Sequence, residues 1–390
     1  MRLSMNTRYA VIHASFWGAY GSLWAFIALV LEYNGFASAQ VGVVTSCATL
    51  LSVFLSPAVS SFLDARPGLE NRHGAMALLT LAAALCLLVW LVPLPRPFVL
   101  GACFALIGAL LSSTPPFQNA MAMDANRCGI PVVYGFCRGV GSVSYAAAVL
   151  LLGFVVERHA PTLLLPVFAA LTACGLIAMA GFRLPERPDE AADRPAEHRS
   201  IAAVLRSHPR FALTLLGCMF FFLTHTISNT YMNALVGKAG GTASAVGTSL
   251  AISAVLELPA MTLVSRLQKR FSPGFFLRFA AGAEVVKFLI FYLAHSMPLI
   301  YLGQCMQFFQ FAVYAPATVY YVAAALPERD QLKGQSLIYV AGSGLGGALG
   351  NLLGGRLLDR SGIQAALLLG TVSAAASLLT FCLSTRKDSR

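Results

Sequence analysis

Long apolar runs separated by short polar connections dominate the chain from end to end. A helix that crosses a membrane needs roughly 20 mostly apolar residues, and twelve segments of this sequence meet that requirement. The predicted spans are 9–33, 39–63, 75–94, 98–122, 134–157, 161–182, 210–235, 242–264, 274–294, 297–324, 334–358 and 362–384. These runs lack the strict alternation of barrel strands, and a backbone in lipid must satisfy its own hydrogen bonds. The pattern therefore predicts an all-α polytopic membrane protein with twelve transmembrane helices.

Composition supports burial in lipid and argues against a soluble class. Of 390 residues, 57% are hydrophobic and only 11% are charged, whereas a soluble domain has about 25% charged residues. The net charge of +11 comes from cations in short loops, and no aromatic–basic RNA motif or zinc spacing accompanies them, so no nucleic-acid partner is expected. The nine cysteines are scattered without a Cys-x-x-Cys pair, and neither a metal nor another cofactor is predicted.

The distribution of lysine and arginine predicts the orientation in the membrane. If the N-terminus is cytoplasmic, the inner loops and both termini hold about four times as many of these cations as the outer loops. The few outer cations are Arg96, Arg158, Lys238, Arg356 and Arg360. We therefore predict an integral protein of a bacterial-type inner (plasma) membrane with both termini in the cytoplasm.

The longest polar stretch predicts a division into two halves. Residues 183–209 are rich in proline and mixed charge, which favours a cytoplasmic linker. The predicted domains are two six-helix bundles, residues 1–182 and 210–390. A shift of 202 residues superimposes Pro57 on Pro259 and also aligns the ends of spans 5 and 11, which suggests an internal repeat and pseudo-symmetric bundles.

The loop after span 2 carries the first family resemblance. The residues from Leu63 to Gly68 resemble the G-x-L-x-D-R-x-G-R-R signature of the major facilitator superfamily, with a serine in place of the first glycine and the next basic residue delayed to Arg72. The resemblance implies a gating role for Asp64 and Arg66, in a charge relay that holds one conformation. An ordinary charged loop is the alternative.

Within that superfamily the chain most resembles the branch of lactose permease and the phenylpropionate-type permeases. The motifs that carry this resemblance are Gly18-Ala19-Tyr20, Gln40-x-Gly42, Tyr134-Gly135-x-x-Arg138, Glu257 and Lys287, the last standing where the branch has an arginine. The resemblance implies that Arg138 contacts solute, that Glu257 contacts solute and takes part in proton coupling, and that Lys287 belongs to the proton relay.

The departures from the branch concern the same chemistry. The chain has Gln304, Gln307 and Gln310 where the sugar permease has Lys, His and Glu. It has His225 and Ser228 in place of two carboxylates, and no carboxylate near Asn119. A galactoside substrate and the sugar permease's own route of proton coupling are therefore both in question.

Charged residues inside spans are costly and indicate function. Apolar neighbours surround Glu257 in the sequence, so this carboxylate could load and release a proton, or else form a structural pair with Lys287. Glu284 and Lys287 are three residues apart and share a helix face, as a structural pair or as part of proton coupling. Arg138 is either an anchor at the cytoplasmic end of span 5 or a cation in a solute cavity.

Uncharged polar residues in the spans complete the predicted solute site. Gln304, Gln307, Gln310 and Tyr314 recur at helical spacing and form one polar stripe on span 10. The other predicted solute contacts are Trp17, Tyr20, Asn119, Arg138, His225 and Asn229. Amide, hydroxyl and aromatic groups suit a hydroxylated or aromatic solute, and hydrogen bonding between helices is the alternative interpretation.

The sequence therefore predicts a secondary active transporter rather than an enzyme. It contains no P-loop, H-E-x-x-H or G-x-S-x-G motif. We expect a monomer in the lipid bilayer that moves a sugar, nucleoside or organic acid by alternating access with proton symport through Glu257, Glu284 and Lys287. The alternative is a proton-independent facilitator or an efflux carrier.

Overall fold

The computed structural model describes residues 4–66, 68–92, 97–185 and 201–386, and helices account for nearly all of them. Eleven of these helices are long and apolar enough to cross a membrane. With Pro273–Leu293 included as the ninth, we number the long helices in chain order: α1 Met5–Tyr33, α2 Ser38–Leu63, α3 Asn71–Leu91, α4 Pro97–Arg127, α5 Tyr134–Arg158, α6 Pro161–Ala180, α7 Pro209–Thr230, α8 Ala243–Val264, α9 Pro273–Leu293, α10 Met297–Ala325, α11 Lys333–Ser361 and α12 Ile363–Ser384. The predicted all-α polytopic architecture is confirmed.

Helix α9 is the reason that the predicted count of twelve spans is only approximate. The helix forms where span 9 was predicted, but it carries Arg278, Glu284 and Lys287 within 21 residues. That charge makes it too polar to count as an apolar span on composition. Glu284 and Lys287 are 0% and 1% exposed, so protein rather than lipid surrounds their side chains.

Several of the long helices are not regular α-helices throughout. A 3-10 turn interrupts α1 at Trp24–Phe26 and another interrupts α10 at Met306–Phe308, while Val340–Gly346 of α11 is π-helical. A 3-10 turn advances by about 120° per residue instead of 100°. The rotation from Gln304 to Tyr314 therefore differs from that of the single ideal α-helix on which the polar stripe was predicted.

The predicted linker and span 7 differ from the structure in detail. The segment 183–209 includes a short helix, Ile201–Ser207, in which Val204 is fully buried. The predicted span 210–235 is two helices, because α7 ends at Thr230 and a second short helix runs over Met232–Lys238.

Contacts divide the chain into two compact units. The first unit is Met1–Pro188 with Thr242–Ala254, and the second is Asp189–Gly241 with Val255–Arg390. The pseudo-symmetric division into residues 1–182 and 210–390 stays a prediction.

Close packing against α5 explains why the first turns of α8 belong to the first unit. A Cβ atom at Gly247 would collide with the backbone carbonyl of Val149, so only glycine allows this approach. The side chain of Glu157 also accepts hydrogen bonds from the side chains of Thr242 and Ser244. A carboxylate near the first residues of α8 is favourably placed against the helix dipole.

In the second unit, glycines at intervals of four residues bring α11 against α7. Cβ atoms at Gly346 and Gly350 would strike the carbonyl oxygens of Met219 and Leu223. Small residues permit this kind of contact between membrane helices. The same face continues over Gly342, beside Phe222.

Candidate functional site

A glutamine joins two opposite charges inside the second unit. The Lys287 ammonium on α9 donates a hydrogen bond to Gln307 Oε1 at 3.0 Å, and Gln307 Nε2 donates to Glu257 Oε1 at 3.0 Å. We call Lys287, Gln307 and Glu257 the amide relay. Three helices contribute to it, and its middle residue lies in the 3-10 turn of α10.

The charges fix the orientation of the Gln307 amide. Its oxygen can only accept and its nitrogen can only donate, so the oxygen must face the ammonium and the nitrogen must face the carboxylate. A glutamine side chain is neutral at every working pH. It therefore holds both charged groups in position by hydrogen bonds without taking up or releasing a proton itself. Hydrogen bonds to charged groups are worth about 1.5–3 kcal/mol each.

Glu284 lies beside the amide relay without joining it. Its side chain is 0% exposed, and neither carboxylate oxygen has a hydrogen-bond partner among the described residues. Lys287 is three residues further along the same helix and interacts with Glu284 electrostatically. The ammonium nevertheless makes its hydrogen bond to Gln307, so the predicted Glu284–Lys287 pair is an electrostatic interaction without a direct hydrogen bond.

His225 and Gln310 form a second polar group in the same unit. Asn229 Nδ2 lies 3.2 Å from His225 Nε2, and Gln310 Nε2 lies 3.5 Å from His225 Nδ1. The imidazole also stacks on Phe311 with ring centroids 4.4 Å apart. Gln310 Oε1 is buried and has no hydrogen-bond partner among the described residues, which leaves this amide with unused hydrogen-bonding capacity.

Two predicted polar positions point elsewhere. Gln304 is 2% exposed, and its Nε2 atom lies 3.4 Å from the sulfur of Met232. Ser228 donates its hydroxyl proton to the backbone carbonyl of His225, within its own helix. The structure therefore brings Gln307 to the charged residues and Gln310 to His225, while Gln304 joins neither group.

In the first unit, Arg138 and Trp17 are in direct contact. The Arg138 guanidinium lies 4.0 Å from the centroid of the Trp17 ring and donates a hydrogen bond to Ser142 Oγ at 2.9 Å. Tyr20 packs 5.5 Å from Trp17 and 6.5 Å from Tyr145, measured between ring centroids. A planar cation held on an indole face combines charge, hydrogen-bond donors and an aromatic surface.

Asn119 and two residues outside the predicted set, His13 and Gln118, lie in the same unit as Arg138. Tyr134 donates its phenolic hydrogen to Asn119 Oδ1 at 3.1 Å. His13 is 1% exposed and Gln118 is 0% exposed, yet no polar atom of either side chain has a hydrogen-bond partner among the described residues. His13 packs on Tyr134 at 6.0 Å. Its signal in the sequence was a histidine one helical turn before Trp17.

The proposed gating residues are only partly described. The side chain of Asp64 lies outside the described residues. Arg66 is exposed, and its guanidinium covers the ring of Phe62 at 3.7 Å. The next basic residue, Arg72, pairs with Glu70 at 3.0 Å and donates to the backbone carbonyl of Phe182 at 3.2 Å. Their gating role stays a prediction.

Two buried glutamines should respond oppositely to replacement by methionine. Gln307→Met breaks two hydrogen bonds to charged groups, and we expect the free energy of unfolding to fall by about 1–3 kcal/mol. Gln118→Met removes an amide without a partner in the described protein and should leave stability unchanged or raise it. Thermal unfolding of both purified variants in one detergent measures this difference, and equal losses would contradict it.

Comparison with known proteins places the whole chain among transporters. The chain is 26% identical over 377 residues to a maltose permease of Geobacillus stearothermophilus, covering 95% of this chain and 92% of that protein. It is 22% identical over 388 residues to an uncharacterized transporter, YwbF, of Bacillus subtilis (strain 168), covering 98% and 94%.

Solved structures share the fold at low sequence identity. The nucleoside transporter NupG matches with a TM-score of 0.81 at 15% identity and 100% coverage of both chains. A bacterial homolog of the human lysosomal transporter Spinster matches with a TM-score of 0.68, 15% identity and coverage of 98% and 97%. At these identities the likeness concerns the fold alone.

The family match extends over nearly all of the described helices. The family described as MFS_1 like matches residues 6–369, which include the amide relay and the Arg138 contact. The match also agrees with the eleven apolar helices and with the transporter relatives. The chain therefore belongs to the MFS_1-like family of major facilitator superfamily transporters, and it is an integral membrane carrier of small molecules rather than an enzyme.

Proposed function

We propose that this protein is a proton-coupled symporter of a neutral hydroxylated solute, a sugar or a nucleoside, that works by alternating access. The observation that carries this proposal is the amide relay, in which a neutral glutamine holds a buried ammonium 3.0 Å away on one side and a carboxylate 3.0 Å away on the other. Ionisable groups inside a membrane are expensive and are typical of ion and substrate pathways.

The available side chains favour a hydroxylated solute over an organic acid. Gln307, Gln310 and Asn229 offer both donors and acceptors, which suit hydroxyl groups. Trp17 and Tyr20 offer ring faces of the kind on which a sugar or a base can stack. The cation of Arg138 already lies on Trp17 and donates to Ser142, which reduces its availability to a carboxylate. The resemblance to a maltose permease supports a sugar in particular.

Roles follow for the remaining predicted residues. We propose Trp17, Tyr20, Asn119 and Arg138 as solute contacts of the first unit. His225, Asn229, Gln307 and Gln310 are the proposed contacts of the second unit, and Glu257, Glu284 and Lys287 couple transport to the proton. Gln304 stays a predicted solute contact, although its amide lies against the sulfur of Met232. Cytoplasmic termini, a monomeric state and membership of the lactose permease branch complete the proposal.

The test is uptake into proteoliposomes of labelled maltose, uridine and 3-phenylpropionate, each with and without an inward proton gradient. We expect the gradient to drive accumulation of maltose or uridine by the wild type and no accumulation by the double variant Glu257→Gln/Glu284→Gln. The exposed carboxylate of Asp359 provides a control, and Asp359→Asn should behave as the wild type. Uptake that no gradient increases would instead indicate a facilitator, and accumulation of 3-phenylpropionate alone would indicate an organic acid carrier.

A further inference from the structure

Glu284 and Glu257 occupy opposite environments although both lie near Lys287. Glu257 is partly exposed and accepts the hydrogen bond of Gln307. Glu284 is 0% exposed, and no hydrogen bond from a described residue reaches either of its oxygens. Among the described residues, the structure thus contains one carboxylate with a hydrogen-bond donor and one without, and both interact with the same ammonium.

That difference determines which carboxylate is charged. A buried carboxylate without hydrogen bonds pays a large desolvation cost, and such a group is neutral unless an opposite charge compensates it. Lys287 donates to Gln307, whose amide in turn donates to Glu257. One ammonium offsets one carboxylate, so a charged Glu284 would leave an excess negative charge in the protein interior.

Among the described residues, the helices around α9 supply no second buried lysine or arginine. Arg210 of α7 is exposed, Arg278 of α9 donates to Thr385, and Lys238 of the short helix Met232–Lys238 is half-buried and donates to the backbone carbonyl of Tyr292. Helix α10 contributes Gln307 and α8 contributes Glu257, neither of which is positive. Helix α7 contributes His225, whose ring nitrogens face the amides of Asn229 and Gln310. Helix α12 contains no Asp, Glu, Lys, Arg or His. The other buried titratable groups of α7 and α10 among the described residues are Cys218, Tyr314 and Tyr321, which are not cationic in any state.

We propose that Glu284 carries the transported proton and that Glu257 is a solute contact. With the proton on Glu284, Lys287 is free to hold Gln307 and, through it, Glu257 in a fixed position to bind solute. Release of the proton from the Glu284 hydroxyl to water leaves a carboxylate, which attracts Lys287 away from Gln307. The site then loses its fixed geometry and its affinity for the solute falls. This assignment rests on the proposed symport.

The first experiment is independent of the solute. Infrared spectroscopy separates the carbonyl stretch of a protonated carboxylic acid from the bands of carboxylates. At neutral pH we expect a protonated-acid band in the wild type, in Glu257→Gln and in Asp359→Asn, and its loss in Glu284→Gln. A band that survives in Glu284→Gln, or that disappears in Glu257→Gln, would overturn the assignment.

The second experiment measures coupling with maltose and uridine as probes. Glu284→Gln imitates the protonated acid, so solute exchange without a gradient should stay within about threefold of the wild type, while gradient-driven accumulation is lost. Glu257→Gln should weaken solute affinity about tenfold, as expected when a hydrogen bond to a charged group is lost.

The outcomes separate this inference from the proposed function. If the wild type accumulates solute with the gradient and Glu284→Gln does so equally, the assignment of the proton fails and the symport stands. If the wild type ignores the gradient, the symport and the transport role of Glu284 both fail, whatever its protonation in the infrared spectrum. Loss of exchange in Glu284→Gln together with unchanged affinity in Glu257→Gln would reverse the two roles.

Discussion

Replacement of Lys287 by methionine should destabilise the protein more than any other single change in the amide relay. The ammonium is 1% exposed and is the cation nearest to Glu257 through Gln307. Removing one partner of a fully buried charge pair costs about 3–5 kcal/mol, and because Glu257 is partly exposed we expect a loss at the lower end of that range. Thermal unfolding in detergent should therefore shift strongly downward for Lys287→Met.

A second substitution distinguishes lost charge balance from lost packing. The double variant Lys287→Met/Glu257→Gln has no carboxylate at position 257, so we expect most of the lost stability to return. Lys287→Met/Glu284→Gln should recover little, because we infer that Glu284 is already neutral. The exposed Lys269 gives the control Lys269→Met, which should unfold as the wild type does. If Lys287→Met/Glu284→Gln recovers stability and Lys287→Met/Glu257→Gln does not, Glu284 carries the charge instead.

The second large effect should follow from a single methyl group at Gly346. A Cβ atom there would collide with the carbonyl oxygen of Met219, and a backbone carbonyl in the middle of α7 cannot move aside as a flexible side chain can. Overpacking a tight contact costs about 1–3 kcal/mol. We expect Gly346→Ala to lower the unfolding temperature and to reduce transport, since α7 also positions His225.

Gly282 provides a matched control for that substitution. It lies in the middle of α9, and a Cβ atom added there would meet nothing within 4 Å. Alanine favours a helix over glycine by about 1 kcal/mol, so Gly282→Ala should be neutral or slightly stabilising. Equal losses in the two variants would mean that glycine is needed for helix flexibility, and that the α7–α11 contact is not the cause.

The positions of the spans could be predicted from the sequence, whereas the irregular turns within the helices could not. The spans were predicted from the length of the hydrophobic runs. Their predicted ends lie close to the ends of the observed helices because every residue of a span has to be compatible with lipid. The 3-10 turn at Met306–Phe308 left no such signal, since its residues are as apolar as their neighbours. As a result, Gln307 and Gln310 were correctly placed within span 10, while their hydrogen-bond partners were not predictable.

The sequence by itself determined that this protein is a polytopic helical membrane protein and which of its polar residues avoid lipid. Hydropathy and helical periodicity carry that information because the free energy of transferring a side chain from water to lipid depends mainly on that side chain. Only the tertiary structure decided which polar groups meet, such as Gln307 with Glu257 across 50 positions of the chain, and that Glu284 has no hydrogen-bond partner among the described residues. Those contacts depend on the packing of several helices around short hydrogen bonds, and the rotation of one helix by a few tens of degrees changes them without changing the hydrophobic pattern.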